Sequence, residues 1–187
     1  MSKQAGIIVG ILAVIIVLIS LVGGSYNSLV TKKEHVDTEY SNISVMLERR
    51  ADLIPNLVST VKGYTTHETE IIDKITTARK NLLSAKDIDE MSKANDELTN
   101  SLQALMVVVE NYPDLKSSEN FIQLSDELAG TENRIAVARK DYNDAVKEYN
   151  TAVKKFPMNI FASMFGFEQK EYFEAKEGSA QVPNVEF

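Results

Sequence analysis

Residues 46–64 read MLERRADLIPNLVSTVKGY, and how this stretch is read decides the fold. Its apolar residues recur at helical spacing, yet Pro55 stands in the middle. Proline there removes a backbone donor and presses its ring on the carbonyl four residues back. Arg50 falls on the face that carries the apolar residues. A broken helix and a single helix that absorbs an irregularity would both give this pattern, so the flanking chain has to choose.

Positions seven apart around this stretch are Leu29, Val36, Ile43, Arg50, Leu57, Tyr64, Ile71 and Ala78. The companion seam is Tyr40, Leu47, Ile54, Val61, Glu68, Ile75 and Leu82. Sustained heptads mark long packed helices. The register passes Pro55 without a slip, which predicts one kinked helix from Tyr26 to Ala85, about 90 Å long at ~1.5 Å per residue. In the alternative, Asp52 caps a new helix with Pro55 in its first turn. A second helix is expected from Asp87, with seams Met91, Leu98, Leu105, Tyr112 and Ile88, Asn95, Leu102, Val109; Tyr112-Pro113 ends it. Ser117 or Ser118 caps a third. There Phe121, Leu128, Ile135, Tyr142, Tyr149 and Phe156 run beside the smaller Leu124, Thr131, Ala138, Ala145 and Ala152, until Pro157 stops the helix.

Before the sevens lies Ala5–Val22, AGIIVGILAVIIVLISLV, without a charge. About 18 uncharged apolar residues suffice to span a bilayer. A cleaved secretory signal is the rival, with Gly23-Gly24 as the small-residue site. That core is longer than the roughly 7–15 residues of most signals, and Lys3 is the only basic side chain before it. An uncleaved single-pass anchor is the expectation. Counting only Lys and Arg, Lys32 and Lys33 against Lys3 lean towards a cytoplasmic body.

The expected fold is therefore all-α: an N-terminal transmembrane helix followed by a long-helix antiparallel bundle of three to four coiled-coil-like helices. The 187 residues divide into an anchor (1–25), a bundle (26–157) and an aromatic amphipathic segment with a polar tail (158–187). In that last part FPMNIFASMFGFEQKEYF, residues 156–173, holds five of the seven phenylalanines. Phe161 and Phe165 are its candidates for contact with membrane or a neighbouring subunit; covering the bundle's own core is the alternative.

Catalytic patterns are absent. A chain with no Cys has no thiolate nucleophile or thiolate metal site. His67-Glu68 begins H-E-x-x-H, but position 71 is Ile. No enzyme activity, cofactor or metal is expected, and a net charge of −7 argues against a nucleic-acid partner. Two polar features stand above background. Arg50 on its seam calls for an acceptor such as Glu132, so that Arg50, Pro55 and Glu132 form a kink and a polar layer. The alternative is that Arg50 snorkels to solvent. Gly6 and Gly10 form a G-x-x-x-G inside the anchor, a close-approach face for transmembrane helices.

The stretches RRADLIPNLVSTVKGY, YPDLKSSENF, LAGTENRIAVARKDYNDAVKEYNTAV, FPMNIFASMFGF and the closing VPNVEF together resemble the LemA family, in unbroken order from about Tyr26 to Phe187. Tyr40 stands where many members carry Trp, and an apolar aromatic role survives the change. The resemblance implies a bacterial-type single-pass membrane protein with a long-helix bundle and no established enzymatic activity. The family includes magnetosome proteins of the MamQ type, which implies shaping or organising membranes. Members also occur beside membrane proteases, which implies an adaptor as the alternative. The functional expectation is a self-associating, membrane-anchored scaffold that organises or remodels membrane. Its partners would be the lipid bilayer, further copies of the chain and a membrane protein.

Overall fold

The computed structural model describes residues 3–65 and 67–174, with side chains from Ile7 onward. The closing VPNVEF and the polar tail with Pro183 lie outside the described residues. Every regular element among those described is a helix.

Helix α1 runs from Lys3 to Lys62 and contains Pro55. The chain does not restart at Asp52; one helix carries through the proline. The expected continuation to Ala85 is wrong, because α1 stops at Lys62 and α2 spans Thr69–Ser84. The cause is local. The Gly63 amide donates to both Ser59 and Thr60 carbonyls (3.3 and 3.1 Å), and the Tyr64 and Thr65 amides both reach Val61 (3.0 Å). That is a tightened final turn, in a stretch where glycine and two threonines give the helix little support. The turn hides inside the heptad count. Tyr64, which that count placed in the core, is half exposed.

Helix α3 (Ile88–Val109) begins where expected. Asp87 Oδ1 accepts from the Glu90 amide at 2.8 Å, and Glu90 Oε2 accepts from the Lys86 amide at 2.8 Å. A single turn, α4 (Pro113–Lys116), precedes α5 (Glu119–Lys154), near whose start Ser118 Oγ accepts from the Phe121 amide at 3.3 Å. Helix α6 (Met158–Phe165) ends at Gly166, whose φ of +73° is a left-handed conformation that a side chain would strain.

The chain forms two compact units, and α1 and α5 each contribute to both. Tyr40–Asn143 with Glu171–Phe187 is the four-helix unit. In it α1 and α3 run one way and α2 and α5 the other, as cross-links show: Arg79 to Ala51, Asn81 to Glu97, Asp96 to Arg139 and Arg50 to Glu132. Its core holds Ile43, Leu47, Ile54, Leu57, Ile75, Leu98, Leu105 and Ile135, all at or below 3% exposure. Each such side chain contributes at most about 1.5–3 kcal/mol.

Met1–Glu39 with Asp144–Lys170 is the second unit. Leu29 and Val36 of α1 are buried here, as are Ala145, Val146 and Tyr149 of α5 and Ala162 of α6. Further towards the N-terminus, none of the described residues covers α1. The large apolar side chains from Ile7 to Leu21 are between 45% and 66% exposed.

Candidate functional site

Arg50 is 3% exposed, so its guanidinium points into the four-helix unit. Nη1 donates to Asn95 Oδ1 at 2.6 Å and to Thr99 Oγ1 at 2.9 Å, both on α3. The same nitrogen lies 2.6 Å from Glu132 Oε2 on α5. Nη1 has two protons for these three acceptors. Asn95 and Thr99 take them, and the carboxylate is held at ion-pair distance without an aligned hydrogen bond. Arg50 Nε and Asn95 Nδ2 are buried without a partner. Burial is the main influence drawing the Arg50 pKa down, with Glu132 opposing it. Arginine starts so high that the group stays protonated at neutral pH. One cation thus ties three helices at one level.

Pro55 belongs to the same region through a residue the sequence did not mark. Lacking an N–H, Pro55 leaves the Ala51 carbonyl without its helical donor. Arg79 of α2 supplies one: its Nε donates to that carbonyl at 2.8 Å. The proline therefore creates an acceptor that a neighbouring helix uses, which makes this irregularity a point of attachment. A double-mutant cycle tests it. Arg79→Met should cost about 1–2 kcal/mol in the natural chain and almost nothing beside Pro55→Ala, where the restored amide serves Ala51. Equal costs in both backgrounds, read by denaturant melts, would disprove the attachment.

A second arrangement had no forecast at all. After Gly166 the chain turns back along α5 and is clamped by asparagines. In the second unit, Asn150 Nδ2 donates to the Lys170 carbonyl and Asn150 Oδ1 accepts from the Lys170 amide, both at 2.8 Å. In the four-helix unit, Asn143 does the same to Phe173, at 2.9 and 2.8 Å. There Tyr142 donates to the Glu171 carbonyl and Ser92 to the Glu174 carbonyl. Phe173 is 1% exposed, with the Arg139 guanidinium 4.5 Å over its ring.

The aromatic segment sits in the second unit. Phe165 and Phe167 pack edge-on against Tyr26 of α1, with ring centroids 5.1 and 5.8 Å apart. Phe161 is half-buried. Phe165 keeps 41% exposure, and the side chains exposed most are Phe156 at 81%, Met164 at 60% and Ile160 at 56%. Gly10, in the uncovered part of α1, has open space where a side chain would stand; Gly6 precedes it by one turn of the same helix. No cluster of three metal-ligating side chains occurs among the described residues.

An N-terminal helix apolar and long enough to cross a membrane, continued into a bundle of long helices, defines the class: an all-α, membrane-associated bundle protein. The chain belongs to the LemA family, whose model matches residues 39–187. Among similar proteins is Magnetosome protein MamQ 2 of Paramagnetospirillum magneticum, 29% identical over 92% of this chain and 73% of its own length. Magnetosome protein MamQ of Magnetospirillum gryphiswaldense is 27% identical over 81% and 65%, respectively. Protein LemA of Metamycoplasma hominis is 28% identical over 82% and 71%.

Proposed function

We propose that this chain is a non-enzymatic, single-pass membrane-anchored scaffold that self-associates and organises the bilayer around it. The observation that carries the reading is α1. Its first part exposes every large apolar side chain from Ile7 to Leu21, and its later part is built into core. Leaving that many apolar groups in water is untenable at roughly 1.5–3 kcal/mol each. Gly6 and Gly10 offer a close-approach face within the span. Lys32 and Lys33 favour the cytoplasmic side for the bundle.

A lateral face in the four-helix unit supports self-association. Arg49 of α1 and Ile122, Gly130 and Arg134 of α5 line one open groove together with the acidic Glu119, Asp126 and Glu127. Val45, one turn before Arg49, and Val137, one turn after Arg134, are 55% and 59% exposed. Gly130 has open space around its Cα. Confinement in a bilayer raises effective concentration, so weak contacts between such faces can assemble. The polar layer of Arg50, Glu132 and the Pro55 attachment keeps the helices in register. The relatives named as magnetosome proteins suit a role in organising membrane. Negative-stain microscopy of the full-length chain in bilayers tests the reading: a scaffold gives ordered assemblies, whereas an adaptor for a membrane protein gives isolated particles.

A further inference from the structure

From the second unit we infer that the outer face of α6 and the end of α5 form an interfacial site for anionic lipid headgroups, in the leaflet where the anchor ends. The inference rests on the anchoring proposed above. Three observations carry it.

The first is position. Phe165 and Phe167 pack on Tyr26, which lies four residues beyond Val22, the last residue of the apolar block. At ~1.5 Å per residue that is about 6 Å along the helix, the depth of the headgroup layer. Helix α6 is thus held where aromatic side chains gather at membrane surfaces. The second is the outward face. Ile160 and Met164 of α6, and Phe156 just before the helix, are bulky, apolar and more than half exposed, while Ala162 on the opposite side of α6 is buried. A short helix with one face packed and the other apolar and bare matches a boundary that is apolar on one side and wet on the other.

The third is charge. The second unit carries seven basic and six acidic residues, and the rest of the chain carries 13 basic and 21 acidic. The excess of negative charge therefore lies outside the unit that holds the anchor. An open groove of about 660 Å³ runs beside Phe156 and Met158, between Ser28 and Lys32 of α1, Lys147 of α5 and Lys155 just past its end. Two acids also line it. Glu148 is occupied by Lys32 at 3.4 Å, and Asp144 has a partner of its own. Lys147 and Lys155, with Lys154 next in sequence, have no ion-pair partner among the described residues and are exposed. Lysines flanking an apolar face recruit anionic headgroups and leave neutral ones. A bilayer surface supplies both complements, the apolar layer and the phosphate.

The chain contains no tryptophan, so one introduced indole reports without background. Phe156→Trp and, separately, Met164→Trp replace exposed side chains, and Val14→Trp reports on the anchor. Each full-length variant is reconstituted into phosphatidylcholine vesicles with or without phosphatidylglycerol, and quenching by lipids brominated near the headgroup or deep in the chain is read. The expected result is deep quenching of Val14→Trp in both vesicles. Phe156→Trp and Met164→Trp should show shallow quenching that is stronger with phosphatidylglycerol. Lys147→Gln, Lys154→Gln and Lys155→Gln together should remove that preference. Quenching of Val14→Trp with none at 156 or 164 would overturn the inference and leave the anchor standing, as expected if the face binds a second copy or another protein. Equal shallow quenching in neutral and anionic vesicles would overturn the anionic site. Loss of the preference on adding inorganic phosphate at matched ionic strength would reassign the groove to free phosphate and also overturn it. Unquenched Val14→Trp would remove the anchoring reading and this inference with it.

Discussion

Glu132→Ala should destabilise the four-helix unit by about 2–3 kcal/mol, lowering the melting temperature by roughly 4–12 °C. Arg50 is almost fully buried, and in the variant its cation keeps as hydrogen-bond partners the neutral oxygens of Asn95 and Thr99, with Asp96 the remaining carboxylate that acts on it. Breaking a fully buried pair costs about 3–5 kcal/mol. The smaller figure reflects the 40% exposure of the Glu132 side chain, which lets water screen the contact. Arg50→Met beside Glu132→Ala should recover part of the loss, because no buried charge then remains. What stays lost is the bond to Asn95, about 1–3 kcal/mol for a buried polar group left unsatisfied. A double variant less stable than Glu132→Ala alone, in thermal melts of the detergent-solubilised protein, would show that Arg50 acts by packing.

Phe173→Ala should be the most damaging single change outside the long helices, at about 3–5 kcal/mol for emptying a buried aromatic site. The ring is covered by Arg139, and its backbone is held on both sides by the Asn143 amide. Removing it takes away the side chain that seats the returning segment. The expected signature is a lower melting temperature together with new protease cleavage between Phe167 and Glu174. Asn143→Ala should reproduce the cleavage at a smaller cost of about 2 kcal/mol, one for each hydrogen bond lost. Unchanged stability and no new cleavage in Phe173→Ala would show that the segment contributes little to the fold.

The sevens were a good guide to the core wherever helices run long. Leu29, Val36, Ile43, Leu57, Phe121, Leu128, Ile135 and Tyr149 are all buried, because one face of a helix must be covered and the spacing says which; Phe156, last on its seam, falls past the end of α5 and is 81% exposed. Arg50 and Asn95 stood on those seams as polar exceptions, and the structure joins them directly. Periodicity was silent about the turn at Gly63. A six-residue reversal, with a new helix starting in a compatible phase, leaves a pattern of sevens intact. Weak helix formers at 63–66 were the signal available. It was equally silent about Arg79, since nothing in a sequence says which arginine will reach a carbonyl freed by a proline 24 residues earlier. Asn143 and Asn150 left a trace: two amides seven apart on a helix, each able to hold both backbone groups of an extended chain. In the aromatic segment, density marked the helix but not how exposed each of its side chains is. Phe161 is half-buried and Phe165 packs on Tyr26 while keeping 41% exposure; Ile160 and Met164 of α6, and Phe156 just before it, are more than half exposed.

Anchored chains should assemble side by side. Negative-stain microscopy of full-length protein reconstituted in bilayers, with Val137→Asp examined alongside, tests it most directly. Val137 is exposed, so the aspartate should leave the melting temperature unchanged while placing a charge on the lateral face. The account predicts ordered assemblies of the natural chain and their loss in Val137→Asp. Isolated particles of the natural chain at every surface density would contradict it.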